Sequence, residues 1–99
     1  MTTSPRFSHA VMFVLNDKND CEEFSTRLSG LKESVPSLLD VEVGIDELKS
    51  PRAVDVLLIT RFENQAGYDA YRVDPTHVAF LEWAKPRISN ATVVDWSHA

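Results

Sequence analysis

The chain is short of the residues on which several kinds of site depend. Its 99 residues include one cysteine, Cys21. A lone cysteine cannot close a disulfide within the chain or hold a metal by itself, and it fits a reducing compartment. Glycine occurs three times, at Gly30, Gly44 and Gly67, too widely spaced for a glycine-rich phosphate loop. Positive charge is in deficit: ten Lys and Arg stand against fifteen Asp and Glu, for a net charge of −5. Nucleic-acid binding, which needs a basic face, is not expected. No apolar run approaches the ~20 residues of a membrane span. The opening Met1-Thr2-Thr3-Ser4-Pro5-Arg6 lacks the apolar stretch of a secretion signal, so the expected location is cytoplasmic. No two histidines or cysteines have local metal-ligand spacing, and neither a metal nor a cofactor is expected.

What remains is an ordinary globular composition, 43% hydrophobic and 25% charged, at a length that allows one domain. Residues 1–6 read as a flexible tail and 7–97 as that domain. Phe7 to Leu15 (FSHAVMFVL) is apolar at nearly every position, the pattern of a strand buried on both faces. Cys21, Phe24, Leu28, Leu31 and Val35 recur at helical spacing, behind acidic residues that suit a helix start and before Pro36. Asn16-Asp17 or Asp20 can cap that helix. Leu39 to Asp46 alternates as a strand with one more polar face, Glu47 to Arg52 reads as a hairpin loop, and Ala53 to Phe62 as a central strand. A short helix carries Tyr68 and Tyr71. Another begins at Asp74-Pro75 and carries His77, Phe80, Leu81, Ala84 and Ile88, with Pro86 as a break or kink. Ala91 to Trp96 is the last strand.

The order β-α-β-β-α-α-β predicts an α+β, ferredoxin-like fold with a four-stranded antiparallel sheet and helices on one face. Two strands apolar on both sides leave the other sheet face in need of cover. A second copy of the chain, packed sheet to sheet, supplies it, so the expected assembly is a homodimer that forms an α/β barrel.

With these elements in order, the chain resembles the stress-responsive α/β-barrel (Dabb) family of small dimeric proteins. The resemblance is carried by Ser8-His9-Ala10-Val11-Met12-Phe13, by Ser37-Leu38-Leu39-Asp40-Val41-Glu42-Val43-Gly44, by Asp55-Val56-Leu57-Leu58-Ile59-Thr60-Arg61-Phe62 and by Val94-Asp95-Trp96. Its most diagnostic piece is Tyr71-x-x-x-Pro75-x-His77-Val78-x-Phe80. Most members have no assigned reaction. A plant branch of polyketide cyclases, similar to olivetolic acid cyclase, closes rings by aldol chemistry with a tyrosine–histidine pair. The resemblance places that pair at Tyr71 and His77 and a pocket histidine at His9. The chain departs from the branch at Asp74, where the cyclases have a histidine before the proline. Monooxygenases of quinone type use the same architecture for other chemistry, and fold alone does not carry function across.

His77 and Tyr71 are the candidate catalytic residues. His77 falls early in a helix, where converging N–H groups disfavour imidazolium and leave a neutral, proton-accepting ring. Tyr71, with an ordinary phenol pKa of about 10, is a donor at neutral pH. His9, Phe80 and Trp83 are the candidate substrate-binding residues, and the expected ligand is a small apolar or aromatic molecule. A packed core corner explains the same residues, with His77 bonded to a carbonyl and Trp83 in simple packing or a dimer contact. The acid–base reading gives a cofactor-free cyclase- or lyase-like enzyme acting on an aromatic or polyketide-like carbonyl compound. The packed reading gives a non-catalytic structural or stress protein. Polar groups converging on empty space are what would separate the two.

Overall fold

The computed structural model describes residues 6–98, and the flexible tail expected at residues 1–5 lies outside the described residues. Arg6, also assigned to that tail, is held at both backbone groups: its N–H donates to Phe62 O and its carbonyl accepts from His98 N.

The strands are β1 (Phe7–Leu15), β2 (Asp40–Ile45), β3 (Val56–Phe62) and β4 (Ile88–Ser97), in the spatial order β2-β3-β1-β4 with antiparallel pairing throughout. The two strands read as apolar on both faces, β1 and β3, lie at the centre. The helices α1 (Cys21–Ser34), α2 (Gln65–Val73) and α3 (Pro75–Ala84) cover one face. The sheet is open, with β2 and β4 as its edges.

Alternation decides which side chains meet the helices. Phe7, Val11, Phe13 and Leu15 of β1 and Val56, Leu58 and Phe62 of β3 are buried beneath Phe24, Leu28 and Leu31 of α1. Val41, Val43 and Ile45 of β2 pack against the same core. Phe24 is fully buried and stands edge-on to Phe13 and Phe80, with ring centroids 4.9 and 5.4 Å away. Cys21 is buried on the α1 stripe, and burial raises its thiol pKa.

Two local features differ from expectation, the turn ahead of α1 and the placement of Ile88. A 3-10 turn, Lys18–Asp20, precedes α1; Asp17 caps that turn by accepting from Asn19 N, whereas Asp20 makes no side-chain cap bond. Of the break or kink expected at Pro86, the structure has the break: α3 stops at Ala84, and a 3-10 turn, Lys85–Arg87, leads directly into β4. Proline lacks the N–H that another helical turn would need and its ring crowds the preceding turn. Ile88, expected on the helix, therefore opens the last strand. A register shift at Val14/Leu15 then sets Ile88 opposite Leu15 and on the helix-covered face.

Asp55, just ahead of β3, is a buried carboxylate that the sequence did not single out. It accepts from Leu15 N at 2.8 Å and Lys18 Nζ at 2.6 Å. Burial alone would raise its pKa. The hydrogen bonds from Lys18 and Leu15, with the charges of Lys18 and Lys49, outweigh burial and hold it below the usual carboxylate value.

Candidate functional site

A cavity of about 390 Å³ lies between the helix-covered face of β1 and β4 and the helices α2 and α3. Its apolar wall includes Val11, Phe13, Leu58, Phe80, Leu81 and Ile88. His9, Tyr68, Tyr71, Arg72 and His77 bring the polar atoms. Four of the five expected site residues, His77, Tyr71, His9 and Phe80, thus share one cavity.

Local sequence explains how α2 and α3 present these groups. Asn64 caps α2 by accepting from Gly67 N at 3.0 Å. A Cβ on Gly67 would stand 3.3 Å from Phe62 Cβ, so glycine lets the start of α2 sit tightly on β3. Tyr68 and Tyr71, three residues apart on α2, then lie against Phe62, with ring centroids 5.6 and 5.3 Å from it. Asp74 ends α2 and caps α3, accepting from Thr76 N at 2.8 Å, with Pro75 at the first helical position.

Those turns place His77 against Tyr71, with ring centroids 4.0 Å apart and planes inclined by 30°. Nδ1 of His77 lies 3.4 Å from Arg72 O, so Nδ1 carries the proton in that hydrogen bond and Nε2 is the basic nitrogen. The His77 pKa is lowered, chiefly by burial and further by His9; the Arg72 carbonyl and Asp74 pull the other way without prevailing. The lowering agrees in direction with the neutral ring expected at this position, but burial rather than the helix end is its leading cause. Tyr71 is buried, and burial, helped by Tyr68, pushes its phenol well above the ordinary value. Its hydroxyl has no hydrogen-bond partner among the described residues, and it is not among the sealed, unpaired polar atoms, where only Ser37 Oγ is found.

His9 projects from β1, where its Nδ1 is bonded to Asp95 Oδ1, the side chain directly opposite on β4. Its ring centroid lies 4.8 Å from that of Tyr68. Tyr68 and Asp95 are the partners that sequence reasoning missed. Tyr68 carried a signal, since it lies one helical turn before Tyr71, whereas Asp95 is recognisable only once the β1–β4 register is known. The Tyr68 phenol pKa is raised, first by burial and then by the Asp95 charge.

Trp83 does not join the cavity wall. It packs against Phe24 and Phe80, between the guanidinium groups of Arg27 and Arg87, which lie 4.2 and 4.3 Å from its ring centre. Arg87 also donates to Trp83 O at 2.6 Å. Its position two residues beyond Leu81 turns it towards α1 and away from the tyrosines. His98 Nε2 lies 2.8 Å from Ser8 Oγ. No helix among the described residues is long and apolar enough to cross a membrane.

Comparison with known proteins agrees with this architecture. No curated protein matches the chain. A dimeric ferredoxin-like protein of unknown function from Thermobifida fusca is 23% identical, with a TM-score of 0.83 over 98% of this chain and 94% of that one. A dimeric protein of unknown function and ferredoxin-like fold from Bacteroides fragilis is 20% identical, with a TM-score of 0.83 over 97% and 99% of the two chains. The hydroxynitrile lyase of Passiflora edulis is 15% identical, with a TM-score of 0.80 over 97% and 96%. These likenesses establish the fold. The model of the stress responsive A/B barrel domain family, Dabb, matches residues 7–98, and the chain belongs to that family.

Proposed function

We propose that this protein is a homodimer whose cavity binds a small aromatic or polyketide-like carbonyl compound and can act on it by cofactor-free acid–base chemistry. The observation that carries this reading is Tyr71, a residue of the apolar cavity wall whose hydroxyl has no hydrogen-bond partner among the described residues. A buried phenol in a filled core ordinarily finds an acceptor or donor. Here the hydroxyl is left to bond a ligand oxygen. His77 stands against it with Nδ1 bonded to Arg72 O, leaving Nε2 to take a proton. The cavity volume of about 390 Å³ falls within the roughly 300–1,000 Å³ of small-ligand sites.

The dimer is supported by the sheet face that the helices leave bare. Met12, Leu57, Ile59, Val94 and Trp96 lie there, and Met12 and Val94 are 38% and 53% exposed. Pairing two such faces removes them from water and closes the barrel that the single chain leaves open. The solved relatives from T. fusca and B. fragilis are described as dimeric, which favours the same assembly here.

The ligand reading is tested by titrating the protein with 1-phenyl-1,3-butanedione and following side-chain NMR signals of the cavity residues. Saturable shifts of His77 and Tyr71 are expected. His77→Ala should abolish them at a stability cost of about 1 kcal/mol. No saturable shift in the wild type, or a loss of several kcal/mol in the variant with binding unchanged, favours a purely structural role.

A further inference from the structure

The cavity contains a second imidazole whose partner differs in kind from that of His77. His77 is held at Nδ1 by a main-chain carbonyl, and His9 at Nδ1 by the Asp95 carboxylate. In both rings Nε2 is therefore the nitrogen left for a ligand. The rings mark the ends of a row of four. His9 lies 4.8 Å from Tyr68, Tyr68 lies 6.4 Å from Tyr71, and Tyr71 lies 4.0 Å from His77, centroid to centroid. The row runs from the strand wall of the cavity to its helix wall, and all four residues line it. The His9 side chain is 12% exposed and that of Asp95 42%, so the carboxylate grips the imidazole from the solvent side.

From this arrangement, and resting on the acid–base reading above, we propose that His9 is a second proton-transfer group facing His77 and that Asp95 is its positioning residue. A carboxylate at Nδ1 fixes the tautomer and orientation of an imidazole while Nε2 gives up or takes a proton. A carbonyl partner at His77 suits a group that starts neutral. The substrate class is then an enolisable aromatic ketone. His77 Nε2 takes a proton from the carbon next to the carbonyl. The C–H electron pair becomes the new C=C bond, and the carbonyl π pair moves onto oxygen, which Tyr71 O–H holds by a hydrogen bond. His9, entering the step with protons on both ring nitrogens, passes the Nε2 proton to that oxygen and keeps its Nδ1 proton, hydrogen-bonded to the Asp95 carboxylate. The product is the neutral enol, one proton having been removed and one supplied. No oxidant, reductant or cofactor is required.

The test uses the full chain and 1-phenyl-2-propanone in D2O, with α-deuterium incorporation followed by NMR. Long-range ¹H–¹⁵N spectra of the ligand-free protein, recorded at alkaline pH where imidazole rings are neutral, report the His9 tautomer. The wild type is expected to exchange faster than buffer and His77→Gln at the buffer rate. Asp95→Asn, nearly isosteric and on an edge strand, is expected to lose about 10–100-fold with unchanged thermal stability. The wild-type spectrum is expected to show His9 protonated at Nδ1 and the Asn variant a tautomer mixture, a change that a merely structural role for Asp95 would not produce. Wild-type exchange with an undiminished Asp95→Asn rate, or the opposite His9 tautomer in the wild type, overturns this proposal and leaves the His77 reading standing. Exchange no faster than buffer in the wild type overturns the acid–base reading and this proposal together.

Discussion

The two faces of the sheet are built from the same two central strands yet solve the burial problem differently. On one face Phe13, Leu58 and Phe62 are covered by Phe24, Leu28 and Phe80 of the same chain. On the other, Met12 and Val94 are exposed and Leu57 and Ile59 half-buried, with no helix of the described residues packed over them. The closed face contains a cavity and its polar groups. The open face carries apolar side chains at its centre and, towards the β2 edge, Arg61 paired with Asp40 and Glu42, without a cavity of the same kind. The difference teaches that chemistry and assembly are kept on opposite sides, so each can be disturbed without directly touching the other.

The largest effect should come from the open face. The double substitution Ile59→Asp and Val94→Asp is expected to convert dimer to monomer in sedimentation experiments, since two like charges would be buried against their copies. A variant that remains a dimer would show that another surface joins the subunits. Phe24→Ala breaks the closed face instead and should cost about 3–5 kcal/mol in urea unfolding, because the fully buried ring leaves a cavity among Phe13, Phe80 and Trp83. Asp55→Asn should cost less, about 1–3 kcal/mol, by weakening the bonds to Leu15 N and Lys18 Nζ. The folded pKa of Asp55 is depressed. Its contribution is therefore present above the unfolded carboxylate value of about 3.9 and is lost as pH falls through the folded value. Acid titration of the Asn variant should lack that loss. Tyr71→Phe should change stability least, by less than about 0.5 kcal/mol near pH 7, because the hydroxyl removed has no hydrogen-bond partner among the described residues. The folded phenol pKa is raised, so wild-type stability should fall as pH climbs above about 10, and the Phe variant should lose that alkaline sensitivity.

How much of this was legible in the sequence followed the range of the interaction. The apolar runs of β1 and β3, the spacing of Cys21, Phe24, Leu28 and Leu31, and the Asp74-Pro75 cap are local patterns, and the fold follows from them. The start of β4 was not legible: Ile88 continues the helical spacing of Phe80, Leu81 and Ala84, and only the stop imposed around Pro86 with the register shift near Leu15 moves it into a strand. Lys49 adopts a left-handed backbone, with φ at 55°, at a position that no glycine marks. Within the cavity, Tyr71 and His77 are near neighbours along the chain. The His9–Asp95 pair spans 86 residues and exists only through strand pairing. Trp83 was misplaced because spacing along a helix distinguishes faces but does not say which neighbour each face meets.

The separation of the faces extends to the two tryptophans. Trp83, half-buried on α3, packs against α1 between two guanidinium groups, while Trp96 pairs in register with Ser8 on the bare side, its ring 5.8 Å from that of His98. The chain thus carries two built-in fluorophores in separate surroundings. Emission from a Trp83→Phe protein on serial dilution would follow subunit dissociation through Trp96, and the reciprocal Trp96→Phe protein would follow unfolding through Trp83, without an added label.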